Sequence, residues 1–204
     1  MGMSTIDFWY EFASTYSYPA ALRIGALAAA RGIEVTWRPF LLGPIFAAQG
    51  WRDSPFNIYP VKGRYMWRDM ERICASLALP LVRPEPFPQQ SLLATRIAIA
   101  LDAQARPAFS RSVYHAEFGE GRPIAEASTL APLLVSLGLD PEEVMERAQS
   151  PENKDLLKRE CARAAEIGLP GAPCLVTADN EIFWGNDRLD AGLDWAAGTR
   201  RPST

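Results

Sequence analysis

The sequence predicts an α/β protein in which a sheet-forming unit at each end of the chain is separated by a run of helices. Alternating β-branched and aromatic residues occur near the two ends, an apolar period typical of helices runs through the middle, and Gly and Pro separate the segments. With 204 residues, 48% of them apolar, the chain is long enough to bury a core.

The start of the chain predicts a β-α-β unit. Residues 5–12, TIDFWYEF, are rich in β-branched and aromatic residues and favour a buried strand. Residues 16–31 predict a helix that ends at Gly32, and residues 33–39, IEVTWRP, alternate as a second strand. Strands joined by a helix are normally parallel, so we expect a parallel pair.

The middle of the chain predicts a long loop and then helices. Residues 41–61 mix Gly, Pro and aromatic residues without a steady period, which indicates a loop with one helical turn in it, and loops of this length tend to be functional. Proline follows a capping residue at Asp140-Pro141 and Ser150-Pro151, a pattern typical of helix starts. The predicted helices cover residues 62–77, 90–105, 107–118, 129–137, 141–149 and 152–167.

The end of the chain returns to the strand period. Residues 172–179 and 181–185 predict an antiparallel hairpin, a helix follows at 187–197, and the last residues, 199–204, predict an irregular tail. We therefore expect one α/β domain made of residues 1–43 and 151–204, interrupted by a helical insertion over residues 44–150.

Composition argues against several classes of partner. The net charge is −3 and no basic run is present, so we expect no nucleic-acid partner. No apolar stretch could span a bilayer and the start lacks the layout of a signal peptide, so we expect a cytoplasmic protein without a membrane partner. The three cysteines form no C-x-x-C and predict reduced, buried thiols, and a single histidine with scattered acids predicts no metal site.

Four segments of the chain resemble a known family. The order β-α-β, helices, then Gly171-Ala172-Pro173 opening a hairpin resembles the thioredoxin fold with a helical insertion. The resemblance is to bacterial 2-hydroxychromene-2-carboxylate isomerases, which are similar to kappa-class glutathione transferases, and it spans nearly all of the chain. It is carried by DFWYEFASTYSY (7–18), SPFNIYPVKGRYMWRDM (54–70), GAP (171–173) and FWGNDRLD (183–190), of which the last is the most specific.

The resemblance implies a cis bond before Pro173, facing the start of the first helix, and a catalytic role for Ser14. Redox-active relatives have C-x-x-C where this chain has Ser14 to Ser17, so the implied source of a thiol is the cofactor glutathione. Many members of the family have proline directly after the serine, whereas this chain has Thr15, which is a second candidate hydroxyl donor.

Ser14 is expected to donate a hydrogen bond to the glutathione sulfur. A free thiol has a pKa of about 8.5, and lowering it by about two units requires about 2.7 kcal/mol. A hydrogen bond to a charged group contributes about 1.5–3 kcal/mol and a helix N-terminus about 0.3–1 kcal/mol, so one serine at a helix start is sufficient.

The other site residues come from the resemblance together with charge. The backbone of Ala172 and Pro173 would pair with glutathione, and Lys62 and Asn57 would bind one of its carboxylates. Asn186, Asp187 and Arg188 would bind or support its γ-glutamyl end, although an ordinary helix cap also explains these residue types. The aromatic residues expected to line a substrate pocket are Trp51, Phe56, Tyr65, Trp67 and Trp184.

The reaction that the resemblance implies interconverts 2-hydroxychromene-2-carboxylate and trans-o-hydroxybenzylidenepyruvate, small aromatic compounds of bacterial aromatic degradation, through a glutathione thiolate adduct. The resemblance also implies a homodimer. Two alternatives stay open: a kappa-class-like glutathione transferase that acts on electrophilic small molecules, and a redox-inactive thioredoxin-like binding module.

Overall fold

A mixed four-stranded sheet forms the centre of the molecule. In the computed structural model, which describes residues 4–199, the strand order is β2-β1-β3-β4. The strands are β1 (Ser4–Tyr10), β2 (Ile33–Pro39), β3 (Cys174–Thr177) and β4 (Ile182–Trp184). β1 is parallel to β2 and antiparallel to β3, and β3 is antiparallel to β4, so the predicted parallel pair and the predicted hairpin are confirmed. Most of the predicted tail, 200–204, lies outside the described residues.

Helices make up most of the rest of the described chain. They are α1 (Ser17–Ala29), α2 (Leu42–Ala48), α3 (Pro55–Ile58), α4 (Pro60–Ser76), α5 (Leu92–Ala100), α6 (Ala105–Tyr114), α7 (Ala127–Ser136), α8 (Pro141–Gln149), α9 (Pro151–Ile167) and α10 (Leu189–Ala196). A π-helical turn, His115–Gly119, extends α6, and a 3₁₀ turn, Asn186–Arg188, precedes α10. None of the helices over residues 4–199 combines the length and the apolar character that a membrane span requires.

The predicted loop over residues 41–61 is only partly correct. It contains the short helix α3, capped by Ser54, whose hydroxyl accepts a hydrogen bond from the Phe56 N–H. It also contains α2, which the sequence did not indicate, because no side chain caps its start. Burial of Ile45 against the apolar cluster around Trp9 and Phe40 accounts for this helix, since tertiary packing overrides weak local signals.

The helix predicted over residues 90–105 is too long. The chain leaves the helical conformation at Leu101, which has φ −78° and ψ 148°. The Asp102 carboxylate then accepts hydrogen bonds from the N–H groups of Gln104 (2.9 Å) and Ala105 (2.8 Å), so it starts the next helix. The two caps predicted from proline pairs are present, since Asp140 accepts from Glu142 and Ser150 accepts from Asn153.

The core lies on both sides of the sheet. Alternation along β1 places Phe8 and Tyr10 in a large cluster with α1 and the helical region, and Trp9 in a smaller cluster with Phe40. The three cysteines are free thiols, of which Cys74 and Cys174 are buried and Cys161 is half-buried. The expected division of the chain at residues 43 and 150 stays a prediction.

Candidate functional site

Ser14 lies in a tight turn between β1 and α1. Its N–H donates to the Glu11 carbonyl (3.1 Å), and its own carbonyl accepts from the Ser17 N–H (3.1 Å). α1 begins at Ser17, so Ser14 precedes the first helical residue by three positions and does not cap the helix. The effect of the helix dipole falls off within the first turn, so its contribution at Ser14 is smaller than the sequence suggested.

The loop before β3 meets this turn. The Ala172–Pro173 bond is cis, as the resemblance implied, and the Ser14 hydroxyl donates to the Ala172 carbonyl at 2.9 Å. The Pro173 carbonyl accepts from the Gly185 N–H at 2.9 Å. Among the described residues the N–H of Ala172 has no acceptor. Ser14 and the proline loop are therefore brought together at the same end of two neighbouring strands, with one backbone donor left available there.

Trp184 lies on the other side of the proline loop. It pairs with Cys174 in the β3–β4 register, and 55% of its surface is exposed. Its indole packs on Gly171, where an added Cβ would lie 2.9 Å from the indole Nε1, so a larger residue there would require the indole to shift. The Cys174 thiol donates to the Gly171 carbonyl (3.2 Å), and burial raises its pKa to about 12. Cys174 therefore stays a neutral thiol beside the loop.

The 3₁₀ turn before α10 is fixed from α1. The Asn186 side chain is buried, and its Oδ1 accepts from the Arg23 guanidinium at 3.2 Å. Asp187 is exposed, and its carboxylate lies 3.7 Å from the Arg188 Nε. These residues thus have protein partners in the structure, and the ligand contacts expected of Asn186, Asp187 and Arg188 stay predictions.

One flank of α4 packs on the Ser14 turn. Thr15 is 2% exposed and its hydroxyl donates to the Met66 sulfur at 3.0 Å, so this hydroxyl has a partner inside the protein and is not a second donor at the surface. The Tyr16 hydroxyl donates to Asp69 at 3.1 Å. Lys62 precedes Met66 by four residues and therefore lies on the same flank of α4. Its exposed ammonium is 4.6 Å from the centre of the Tyr59 ring.

The five aromatic residues expected to line one pocket are dispersed. Phe56 lies 6.4 Å from Tyr16, ring centre to ring centre, and borders the Ser14 turn, as Trp184 borders the proline loop. Tyr65 is largely exposed on α4, and Trp51 packs 5.7 Å from Phe46 of α2.

Trp67 and Asn57 face a separate cleft of about 500 Å³ along α4, which Phe56 also lines. The Trp67 ring packs against Phe87 at 4.9 Å and lies under Arg83 at 5.1 Å. The Asn57 amide donates to Asp53 (3.1 Å) and to the Phe87 carbonyl (3.2 Å). The partners of these two side chains are thus residues around this cleft and not Ser14.

Sequence reasoning missed two buried acids near the site. Glu11 is 5% exposed, its carboxylate accepts from the Ser91 hydroxyl, and burial raises its pKa to about 7. Glu117 is fully buried without a hydrogen-bond partner for either carboxylate oxygen, and burial raises its pKa well above the ordinary value. The signal for burial that the sequence offered was a single acid inside each of two largely apolar segments, FWYEF and VYHAEF.

Residues 4–199 contain no group of His, Cys, Asp and Glu side chains that could hold a metal ion. The hydrogen-bonding groups at the proline loop are a hydroxyl, a backbone N–H and a backbone carbonyl, with a lysine and a carboxylate further out. Such a set suits a peptide-like ligand with charged ends.

Comparisons with known proteins agree with this geometry. The model of the DSBA-like thioredoxin domain matches residues 5–194. The chain is 31% identical to 2-hydroxychromene-2-carboxylate isomerase of Sphingobium xenophagum, over 91% of this chain and 94% of that protein. A solved structure of a 2-hydroxychromene-2-carboxylate isomerase superposes with a TM-score of 0.85 at 27% identity, over 95% and 94% of the two chains. Human glutathione S-transferase kappa 1 is 23% identical over 91% of this chain and 88% of that protein.

Proposed function

The chain belongs to the DSBA-like thioredoxin family and, within it, to the 2-hydroxychromene-2-carboxylate isomerase family, and from that membership we propose that it is a glutathione-dependent isomerase. The proposed reaction interconverts 2-hydroxychromene-2-carboxylate and trans-o-hydroxybenzylidenepyruvate. The observation that carries the proposal is the hydrogen bond from the Ser14 hydroxyl to the Ala172 carbonyl at the cis-proline loop.

The residues around this bond fit glutathione. The free N–H of Ala172 offers the backbone pairing that a peptide ligand needs, and the ammonium of Lys62 suits a carboxylate end. The exposed Asp187 carboxylate suits an ammonium. Glutathione would supply a nucleophilic thiol that the protein lacks here, because no cysteine stands at residues 14–17 and Cys174 is held neutral by burial.

In this proposal the Ser14 hydroxyl stabilises the negative charge of the ligand sulfur. The Ser14 O–H turns from the Ala172 carbonyl to the ligand sulfur and donates to the thiolate, and the backbone bonds to Glu11 and Ser17 keep the turn in place meanwhile. A charge-assisted hydrogen bond of this kind contributes about 1.5–3 kcal/mol, which corresponds to about a tenfold or larger increase in the thiolate population at neutral pH.

The test is to compare the wild-type protein with Ser14→Ala and with the control Ser128→Ala, whose hydroxyl is exposed on α7. Calorimetry measures glutathione binding, and absorbance follows conversion of 2-hydroxychromene-2-carboxylate with and without glutathione. We expect glutathione-dependent turnover that falls about tenfold or more in Ser14→Ala and is unchanged in the control. Turnover without glutathione, or unchanged turnover in Ser14→Ala, would contradict the proposal.

A kappa-class-like transferase is the second candidate, and it is favoured by the similarity to glutathione S-transferase kappa 1. Both candidates require the same ionised sulfur, so only the substrate separates them. Activity with glutathione and a chlorinated nitrobenzene, but not with the chromene, would select the transferase. A protein that binds no glutathione would instead match a redox-inactive binding module.

Three further parts of the proposal remain. A homodimer and a small aromatic substrate are expected of this chain by likeness to its relatives, and a cytoplasmic location is the expectation drawn from the sequence. Sedimentation of the purified protein measures the first of these, and a single species with the mass of one chain would contradict it.

A further inference from the structure

A cluster of buried polar groups lies beneath the Ser14 turn. It consists of Glu11, Ser17, Tyr114 and Glu117, each of which is at most 5% exposed. Tyr114 connects the cluster, since its hydroxyl donates to the Glu11 carbonyl at 2.8 Å and lies close to the side chains of Ser17 and Glu117. The Ser17 hydroxyl and both Glu117 oxygens have no hydrogen-bond partner. A cluster of this kind is costly to bury, so it calls for a physical explanation.

The cluster is joined to Ser14 through the backbone on both sides. The Glu11 carbonyl accepts from the Ser14 N–H, and the Ser17 N–H donates to the Ser14 carbonyl, both at 3.1 Å. Glu11 and Ser17, two of the four residues of the cluster, therefore also fix the backbone of Ser14. A charge on Glu11 therefore arises three residues along the turn from the hydroxyl that we assign to the ligand sulfur.

The groups near the two glutamates stay neutral over the same pH range. They are Tyr114 of α6 and Cys161 of α9, with Tyr10 of β1 next to Tyr114, and burial raises the pKa values of all three. The Arg106 guanidinium lies near Tyr10 but is bound to backbone carbonyls. Burial also raises the pKa of both glutamates, and the nearby Glu11 carboxylate raises the pKa of Glu117 further. The glutamate pair is thus the part of the cluster that ionises nearest to neutral pH.

We propose that Glu11 and Glu117 are a positioning pair that controls the charge beneath Ser14: in its neutral form the pair permits an anion at the Ser14 hydroxyl, and after losing a proton to solvent it opposes that anion. This inference rests on the proposed function, because the anion in question is the ionised thiol of bound glutathione. Neither glutamate is assigned a contact with substrate or cofactor.

The direction of the effect follows from like-charge repulsion. As pH rises, the pair loses a proton, and the resulting carboxylate raises the pKa of the bound thiol, so the thiol titrates over a broadened range. Two charges about 10 Å apart at an effective dielectric constant near 20 interact by about one pKa unit. The coupling is reciprocal, so a bound thiolate makes the pair retain its proton to a higher pH.

The first test is a titration of bound glutathione, followed by the ultraviolet absorbance of its thiolate, in the wild-type protein, Glu11→Gln and the control Glu34→Gln. Glutamine keeps the shape of the neutral acid and an oxygen that accepts a hydrogen bond from Ser91. The control residue, Glu34, is an exposed acid on β2. We expect the pKa of the thiol to fall by about half to one unit in Glu11→Gln and to stay unchanged in the control. Unchanged titration in Glu11→Gln with intact binding would overturn the proposal.

The second test needs no variant and therefore does not depend on how Glu11→Gln folds. Infrared absorption of the protonated carboxyl group is followed against pH in the wild-type protein alone, with glutathione, and with S-methylglutathione, which cannot ionise at sulfur. We expect glutathione to move the loss of this band to higher pH and S-methylglutathione not to do so. Equal shifts with both ligands would overturn the proposal, while a wild-type protein that binds no glutathione would overturn the proposed function itself.

Discussion

Two adjacent hydroxyl groups in the turn after β1 have different environments. Ser14 donates to a backbone carbonyl of the proline loop, at a place where a ligand can compete for the bond. Thr15 is buried and donates to the sulfur of Met66. A thioether is a weak acceptor, so this second bond contributes little to stability. The two hydroxyls therefore have different partners, although the sequence offered both as donors to a ligand.

The variant Thr15→Val tests that assignment. Valine has nearly the shape of threonine and loses only the bond to Met66, so we expect turnover within about twofold of wild type and a loss of about 1 kcal/mol or less in the free energy of unfolding. Steady-state kinetics with glutathione and denaturant unfolding measure the two effects. A tenfold loss of turnover in the stable variant would transfer the donor role to Thr15.

The buried Glu117 carboxyl makes stability depend on pH. Because burial raises its pKa in the folded protein above the unfolded value, the folded state binds more protons between those two values, and the free energy of unfolding falls as pH rises through that window. We expect Glu117→Leu to be more stable than wild type by about 1–3 kcal/mol near pH 8 and by less near pH 5.

Denaturant unfolding at both pH values measures this difference, with the exposed Glu34→Gln as the control. A variant that is destabilised equally at the two pH values would show that packing around the carboxyl, and not its charge, dominates.

Single residues were predictable where a family motif or a local rule fixed them. The turn at Ser14 and the cis bond before Pro173 follow from such motifs. Glu117 could have been identified as an acid on the apolar face of a helix, three residues after Tyr114 and one before Phe118, both of them buried. Its relation to Glu11 could not, because the two are brought together only by packing of the helical region on β1.

At the scale of elements, the junction of α3 and α4 sets the position of Phe56 beside the Ser14 turn. The backbone of Gly63 in the first turn of α4 approaches the Phe56 carbonyl so closely that an added Cβ would overlap it. Gly63 is buried, and Phe56 lies 6.4 Å from Tyr16. A short helix with one capping serine has little stability of its own, so this close approach to α4 is what holds it.

Gly63→Ala is therefore expected to displace α3. The overlap is with backbone, which cannot rotate away, so we expect a loss of about 1–3 kcal/mol in the free energy of unfolding. We also expect weaker glutathione binding by calorimetry, since Lys62 is the neighbouring residue. Gly43→Ala in α2 is the matched control, because an added Cβ there meets nothing within 4 Å. Equal stability of the two variants would contradict the close packing.

The elements that sequence reasoning missed are those without local signals. The strands and long helices were recovered because their periods of two and 3.6 residues extend over many positions. α2 lacks a cap, so it could not be predicted from its neighbours in sequence. The break at Leu101 has no Gly or Pro within it, and its one local signal, the capping residue Asp102, is weak on its own. The dispersion of Trp51, Trp67 and Trp184 has the same cause, since each residue's surroundings depend on tertiary contacts.

At the scale of the whole molecule, arginines connect the elements that carry the site. Arg31, in the turn after α1, binds Asp190 and Asp194 of α10, both at 2.9 Å, and Arg23 of α1 binds Asn186 in the turn before α10. The sheet and the helical region are connected in turn by Arg106 at the start of α6. Its guanidinium donates to the carbonyls of Trp37 in β2 and of Ala98, Ile99 and Leu101 around the end of α5.

Arg106→Met tests whether this connection makes the sheet and the helical region unfold together. Methionine keeps part of the apolar stem but leaves backbone carbonyls unpaired, including those of Trp37 (3.0 Å from the guanidinium) and Leu101 (2.9 Å). Hydrogen bonds to charged groups contribute about 1.5–3 kcal/mol each and are not additive, so we expect a loss of about 2–4 kcal/mol in the free energy of unfolding. The control is Arg64→Met, because Arg64 is exposed on α4, and it should change stability by about 0.5 kcal/mol or less.

Denaturant unfolding, followed separately by tryptophan fluorescence and by far-ultraviolet circular dichroism, measures the free energy of unfolding and whether the two regions unfold together. Coincident transitions in the wild-type protein that separate in Arg106→Met would show that this one guanidinium couples the two regions, since the sheet then loses its attachment to α5 and α6 before the helices unfold. Coincident transitions in both proteins, with a loss below about 1 kcal/mol, would show instead that the apolar core beneath Phe8 and Tyr10 is enough to couple them.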